Sequence, residues 1–80
     1  MPYINPLARM RLDDGGQADT AGELNYQLTR VVAAYLARGQ LSYARINDVL
    51  GALEGAKQEF YRRVAVPYEE DKLKTNGDVY

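Results

Sequence analysis

Apolar positions recur three or four residues apart along two long stretches of this chain. Leu24, Leu28, Val31, Val32, Tyr35 and Leu36 fall on one face of a helix, and so do Ile46, Val49, Leu50, Leu53, Ala56, Phe60 and Val64. No segment alternates with period two for long enough to predict a strand. The first long helix is predicted over 21–38. It opens on a capping box, with the Thr20 hydroxyl at N-cap and Glu23 three residues on. Gly39 is its expected stop. The second is predicted from Tyr43 to about Ala65, with Ser42 as N-cap. Only "GQL" links the two, so they are expected to fold back as an antiparallel hairpin.

The flanks add shorter elements. "MPYIN" at 1–5 reads as an extended arm. Asn5 as N-cap and Pro6 at the first helical position predict a short helix to Leu12, and "DDGGQAD" predicts a loop. Pro67 has no N–H to give the preceding turn, so it is expected to kink the second long helix. The helix should then continue to about Leu73, with Glu69, Glu70 and Asp71 early in the continuation and Lys72 and Lys74 late. Asn76-Gly77 predicts a turn, and 75–80 a tail. The fold class expected is all-α: one domain over 1–80, with arm, short helix and loop in 1–19, then a helical hairpin whose second helix is long and Pro-kinked.

Size and composition narrow the function. An 80-residue chain buries a modest core, so self-association into a homo-oligomer is expected. There is no cysteine and no histidine, which removes disulfides, thiolate chemistry and the usual general base and zinc ligand. The charge is balanced at −1, unlike a domain that grips a long phosphate backbone. No apolar run is long enough to span a membrane, and the N-terminus lacks a signal-peptide pattern, so a cytoplasmic protein is expected. No nucleophile triad, P-loop or dinucleotide fingerprint occurs. The acids "EED" at 69–71 would point in different directions on a helix, and "DDGGQAD" lacks the spacing of a calcium loop. Neither catalysis, cofactor nor metal is expected.

What remains is binding chemistry. Seven tyrosines stand against one phenylalanine and no tryptophan, and tyrosine joins a stacking face to a polar tip. On the second long helix Lys57 falls within the apolar stripe. It either snorkels to the edge or meets an acid in a subunit interface, or else it is an ammonium waiting for phosphate. Tyr43, Glu54 and Tyr61 share one flank of the stripe and Arg45 and Arg63 the other. Arg62 lies nearly opposite the stripe, near the bare backbone of Gly51 and Gly55, where a second surface can approach. The ligand reading takes Lys57, Arg62 and Arg63 as cations for phosphate, Tyr61, Tyr68 and Tyr80 as stacking groups, and Asn76 and Asp78 as polar readers. Because Arg62 and Arg63 diverge, such a site would be shared between protomers. The surface reading pairs Glu59 with Arg63 at i+4 or Arg62 at i+3.

"MPYI", "GELNYQLTR", "SYARINDVLGALEGAKQEFYRRVAVPYEEDK" and "NGDVY" together resemble an uncharacterised family of small proteins from phages and bacterial genomes. A looser architectural resemblance, a short helix and then a hairpin ending in Arg-rich sequence before a proline, is to phage anti-CBASS and anti-Thoeris sponges. That resemblance implies an oligomeric phage anti-defence protein in the host cytoplasm. Such a protein sequesters a cyclic dinucleotide or cyclic ADP-ribose signal without cleaving it. The alternative is a protein–protein interaction or structural module that assembles through its tyrosines and its "GALEG" face.

Overall fold

The structure, a computed structural model, describes residues 4–80. It is all-α, with no strand among the described residues. Contacts group the chain into two units, one ending at Ser42 and the other Tyr43–Tyr80. Of the expected N-terminal arm, residues 1–3 lie outside the described residues, while Ile4 and Asn5 precede the first helix in non-helical backbone.

In the first unit, helix α1 spans Pro6–Asp13. Asn5 is extended, and its Oδ1 accepts the Ala8 N–H at 2.8 Å, one of the orphan donors of the first turn. The chain then reverses at Gly15, whose φ of 98° suits glycine. At Gly16 a Cβ would lie 2.7 Å from the Arg11 carbonyl oxygen, so that turn admits no larger residue. Helix α2 spans Ala21–Leu36. Thr20 Oγ1 accepts the Glu23 N–H at 3.1 Å, and Glu23 Oε1 reaches back to the Asp19 N–H at 3.0 Å. The capping box therefore closes one residue earlier than the Thr20 amide.

The end of α2 corrects one expectation. The helix stops at Leu36 and not at 38, and Gly39 is not among the glycines with positive φ. Three-residue bonds, Arg38 N to Tyr35 O at 3.3 Å and Gly39 N to Leu36 O at 3.4 Å, tighten the last turn and serve the final carbonyls instead.

Helices α1 and α2 are held together by polar clasps around one apolar contact. Arg11 donates to the Gln17 carbonyl at 2.7 Å and to Glu23 Oε1 at 2.5 Å. Gln27 Nε2 donates to Gly16 O at 3.1 Å, and Tyr26 Oη to Asp13 Oδ1 at 2.9 Å. Between these, Leu12 is 6 % exposed, and it is the buried apolar side chain of the described residues.

The second unit is one uninterrupted helix of 34 residues followed by a short tail. It comprises α3 (Tyr43–Phe60), a π-helical segment (Tyr61–Ala65) and α4 (Val66–Asn76). The π segment answers the problem set by Pro67. A proline inside an α-helix removes an i→i−4 bond, and its ring collides with the carbonyl four residues back. Widening the preceding turn relieves the collision, and the Val66 N–H donates to Tyr61 O, five residues back. The helix therefore outruns the expected end near Leu73 and stops at Asn76. There Gly77 takes φ 85° and ψ 158°, a region nearly closed to other residues, while its N–H donates to Leu73 O at 2.9 Å.

Candidate functional site

The eight residues singled out for ligand binding all lie in the second unit, but they do not form one site. Lys57, Tyr61 and Arg62 line a shallow open hollow of about 430 Å³ together with Glu54 and Gln58. Tyr68, Asn76, Asp78 and Tyr80 line another of about 350 Å³ at the end of α4, with Lys72 and Leu73 among their neighbours. Arg63 lines neither.

The arginine pair departs from the divergence expected of it. Arg62 donates through Nη2 to Glu59 Oε2, while Arg63 Nε donates to Glu59 Oε1 at 2.6 Å. Glu59 thus serves its i+3 and i+4 neighbours at once, each guanidinium reaching around the helix to one oxygen. Their stems do start on different sides, but long flexible side chains bring the charged ends together. Exposed pairs of this kind contribute about 0.2–1 kcal/mol.

The second hollow is similarly occupied by local contacts. Lys72 Nζ lies 5.5 Å from the Tyr68 ring centroid, a cation–π contact that covers one face expected to stack on a ligand. Asp78 Oδ1 accepts the Tyr80 N–H at 2.8 Å, a local turn. Val79 and Tyr80 themselves project into solvent.

A third hollow went unpredicted. Leu12, Asp13, Tyr26, Gln27, Arg30 and Val31 line an open hollow of about 590 Å³ in the first unit. Partial burial, and then the hydrogen bond to Asp13, push the Tyr26 phenol above its ordinary range. Arg30 Nε lies 3.8 Å from Asp13 Oδ1. Nearby, the Asp19 N–H and then Arg11 hold the Glu23 carboxyl below the usual glutamate range. The sequence signal for this cluster was only Tyr26 and Arg30, one turn apart beside the apolar stripe. Their partners on α1 are brought in by the Gly15-Gly16 turn.

The sequence as a whole matches the family described as domain of unknown function DUF6899 over residues 1–79. The chain belongs to that family. No curated protein and no solved structure matches it. In this chain the stretch "EFYRRVAVPYE" coincides with the π segment and its flanks. Segments of this kind recur at functional positions because they re-aim the side chains that follow. Among the described residues, no helix is long and apolar enough to cross a membrane.

Proposed function

We propose that this DUF6899 protein works by binding and not by catalysis, as a module that assembles with copies of itself through helix faces its own chain leaves uncovered. One observation carries this reading. Leu12 is buried, whereas Leu28, Val31, Leu50, Phe60 and Val64 are each at least 50 % exposed. Exposed apolar faces of this kind on a helix mark an interaction site. Each Leu or Val carried from half exposed to buried contributes roughly 1 kcal/mol, and several per copy suffice for association. Light scattering on the eluting protein tests the reading. A mass of two or more chains is expected, and a single-chain mass at every concentration would refute it.

A second reading is favoured by the hollow that Lys57, Tyr61 and Arg62 share. There an assembled protein would sequester a small anionic ligand of the cyclic dinucleotide or cyclic ADP-ribose class, as a phage-encoded sponge would in a host cytoplasm. Two cations beside a tyrosine face suit a phosphate next to a base, and Glu59 holds Arg62 only loosely. Asn76, Asp78, Tyr68 and Tyr80 would then close the ligand from another protomer. Calorimetry against a panel of such nucleotides, with ultraviolet absorbance of the heat-denatured supernatant, tests it. No heat of binding and no released chromophore would remove it.

A further inference from the structure

One flank of α3 is more exposed than the stripe beside it. Tyr43 is 87 %, Leu50 59 % and Tyr61 55 % exposed, against 38 % for Ile46 and 42 % for Leu53. Glu54 and Lys57 lie on that same flank between Leu50 and Tyr61, also exposed. All but Tyr61 belong to the regular part of the helix, and Tyr61 is the first residue of the π segment, so one face holds the whole set. The flank is self-complementary when read from its two ends. About a midpoint between Gly55 and Ala56, Leu50 comes level with Tyr61, and Glu54 with Lys57.

We propose that this flank pairs with the same flank of a second copy in antiparallel orientation, with Lys57 of each chain against Glu54 of the other. The proposal rests on the assembly reading and names its surface. An isologous two-fold contact requires a patch complementary to itself, and this flank supplies opposite charges on either side of the axis with apolar groups beyond them. Both charges are uncommitted to ion pairs. Among the described residues the ion pairs are Arg11–Glu23, Arg30–Asp13, Arg62–Glu59 and Arg63–Glu59. Glu54 accepts only the neutral Gln58 amide, at 3.1 Å. Taking roughly 150–250 Å² for a large aromatic side chain, Tyr43, Leu50, Tyr61 and the stems of Glu54 and Lys57 supply on the order of 500 Å² per copy. The pair buries about 1,000 Å², the lower limit for a specific interface. A parallel pairing would set Lys57 against Lys57 and Glu54 against Glu54, which like-charge repulsion disfavours.

The test combines charge reversal with cross-linking in the full chain. Glu54→Lys and Lys57→Glu should each weaken dimerisation about tenfold or more in sedimentation, because each single reversal sets like charges together twice. The double variant should recover wild-type affinity, with helicity by circular dichroism unchanged throughout. The chain has no cysteine, so Leu50→Cys and Tyr61→Cys introduce unique thiols. Mixed chains should form the heterologous disulfide, while Leu50→Cys chains alone should not link, their thiols lying about 16 Å apart along the axis. Self-linking of Leu50→Cys, or a double reversal that fails to recover, would overturn the antiparallel pairing. If the wild type is oligomeric yet indifferent to both reversals, this surface is wrong and the assembly reading stands. If the wild type is monomeric, both fall.

Discussion

Replacing Leu12 and Leu50 by alanine separates what holds the chain folded from what holds copies together. Leu12 is 6 % exposed between α1 and α2. Truncating such a leucine costs about 2–5 kcal/mol, and the value rises with the cavity left behind. Here the site opens onto the hollow of Asp13, Tyr26 and Arg30, so water and side chains fill the space and the cost belongs at the low end, about 2 kcal/mol. Against a total of about 4–12 kcal/mol for a domain of this size, that is a large share. The midpoint of thermal unfolding should fall by about 8–16 °C, equally at every protein concentration. Leu50 is 59 % exposed, so Leu50→Ala removes less than about 1 kcal/mol of burial from a single chain. Its cost should be small in dilute samples and grow as concentration stabilises the wild-type assembly by mass action. The assay is circular dichroism melting over about a hundredfold range of concentration. The reasoning fails if Leu12→Ala costs under about 0.5 kcal/mol, or if Leu50→Ala shows the same concentration-independent loss.

Other consequences follow from particular contacts. Glu23 has its pKa lowered by the Asp19 N–H and by Arg11, so its contribution to stability is full above the unfolded glutamate value of about 4.3 and is lost as pH falls through the lower folded value. Glu23→Gln should flatten that acid limb in pH-dependent melts, and an unchanged limb would dismiss the link. Pro67→Ala should let the π segment relax to α-helix and raise stability by roughly 1–3 kcal/mol. By turning the residues after Tyr61, it should also alter assembly, and a lowered melting point would count against the account of the π segment. Gly77→Ala forces a φ of 85° on a residue with a Cβ and should cost about 1 kcal/mol locally. Amide exchange at residue 77, whose N–H serves Leu73, should speed up while the global melt hardly moves.

The sequence by itself determined the helices. Apolar period, the Asn5 and Thr20 caps, Pro6 and the Asn76-Gly77 turn are local chemistry, and each acts within a turn of where it is written, although the last helix runs past its expected end near Leu73. It also determined which side of α3 carries Tyr43, Glu54 and Tyr61, because helical phase follows from spacing alone. It offered Glu59 as partner to Arg63 or to Arg62, and only the structure shows both guanidiniums on it at once, since side-chain torsions can bring together ends whose stems diverge. It did not reveal the π segment. Pro67 announces strain, but whether the helix breaks, kinks or widens depends on how the turn before it repacks, and here that turn widens, with the Val66 N–H reaching Tyr61 O. The clasps of Arg11, Gln27 and Tyr26 required tertiary structure because their partners lie 11 to 13 residues away, beyond any local rule. The balance between buried and exposed apolar surface required it for the same reason. Periodicity marks which face of a helix wants covering, and only the folded chain shows how little of that face it covers itself.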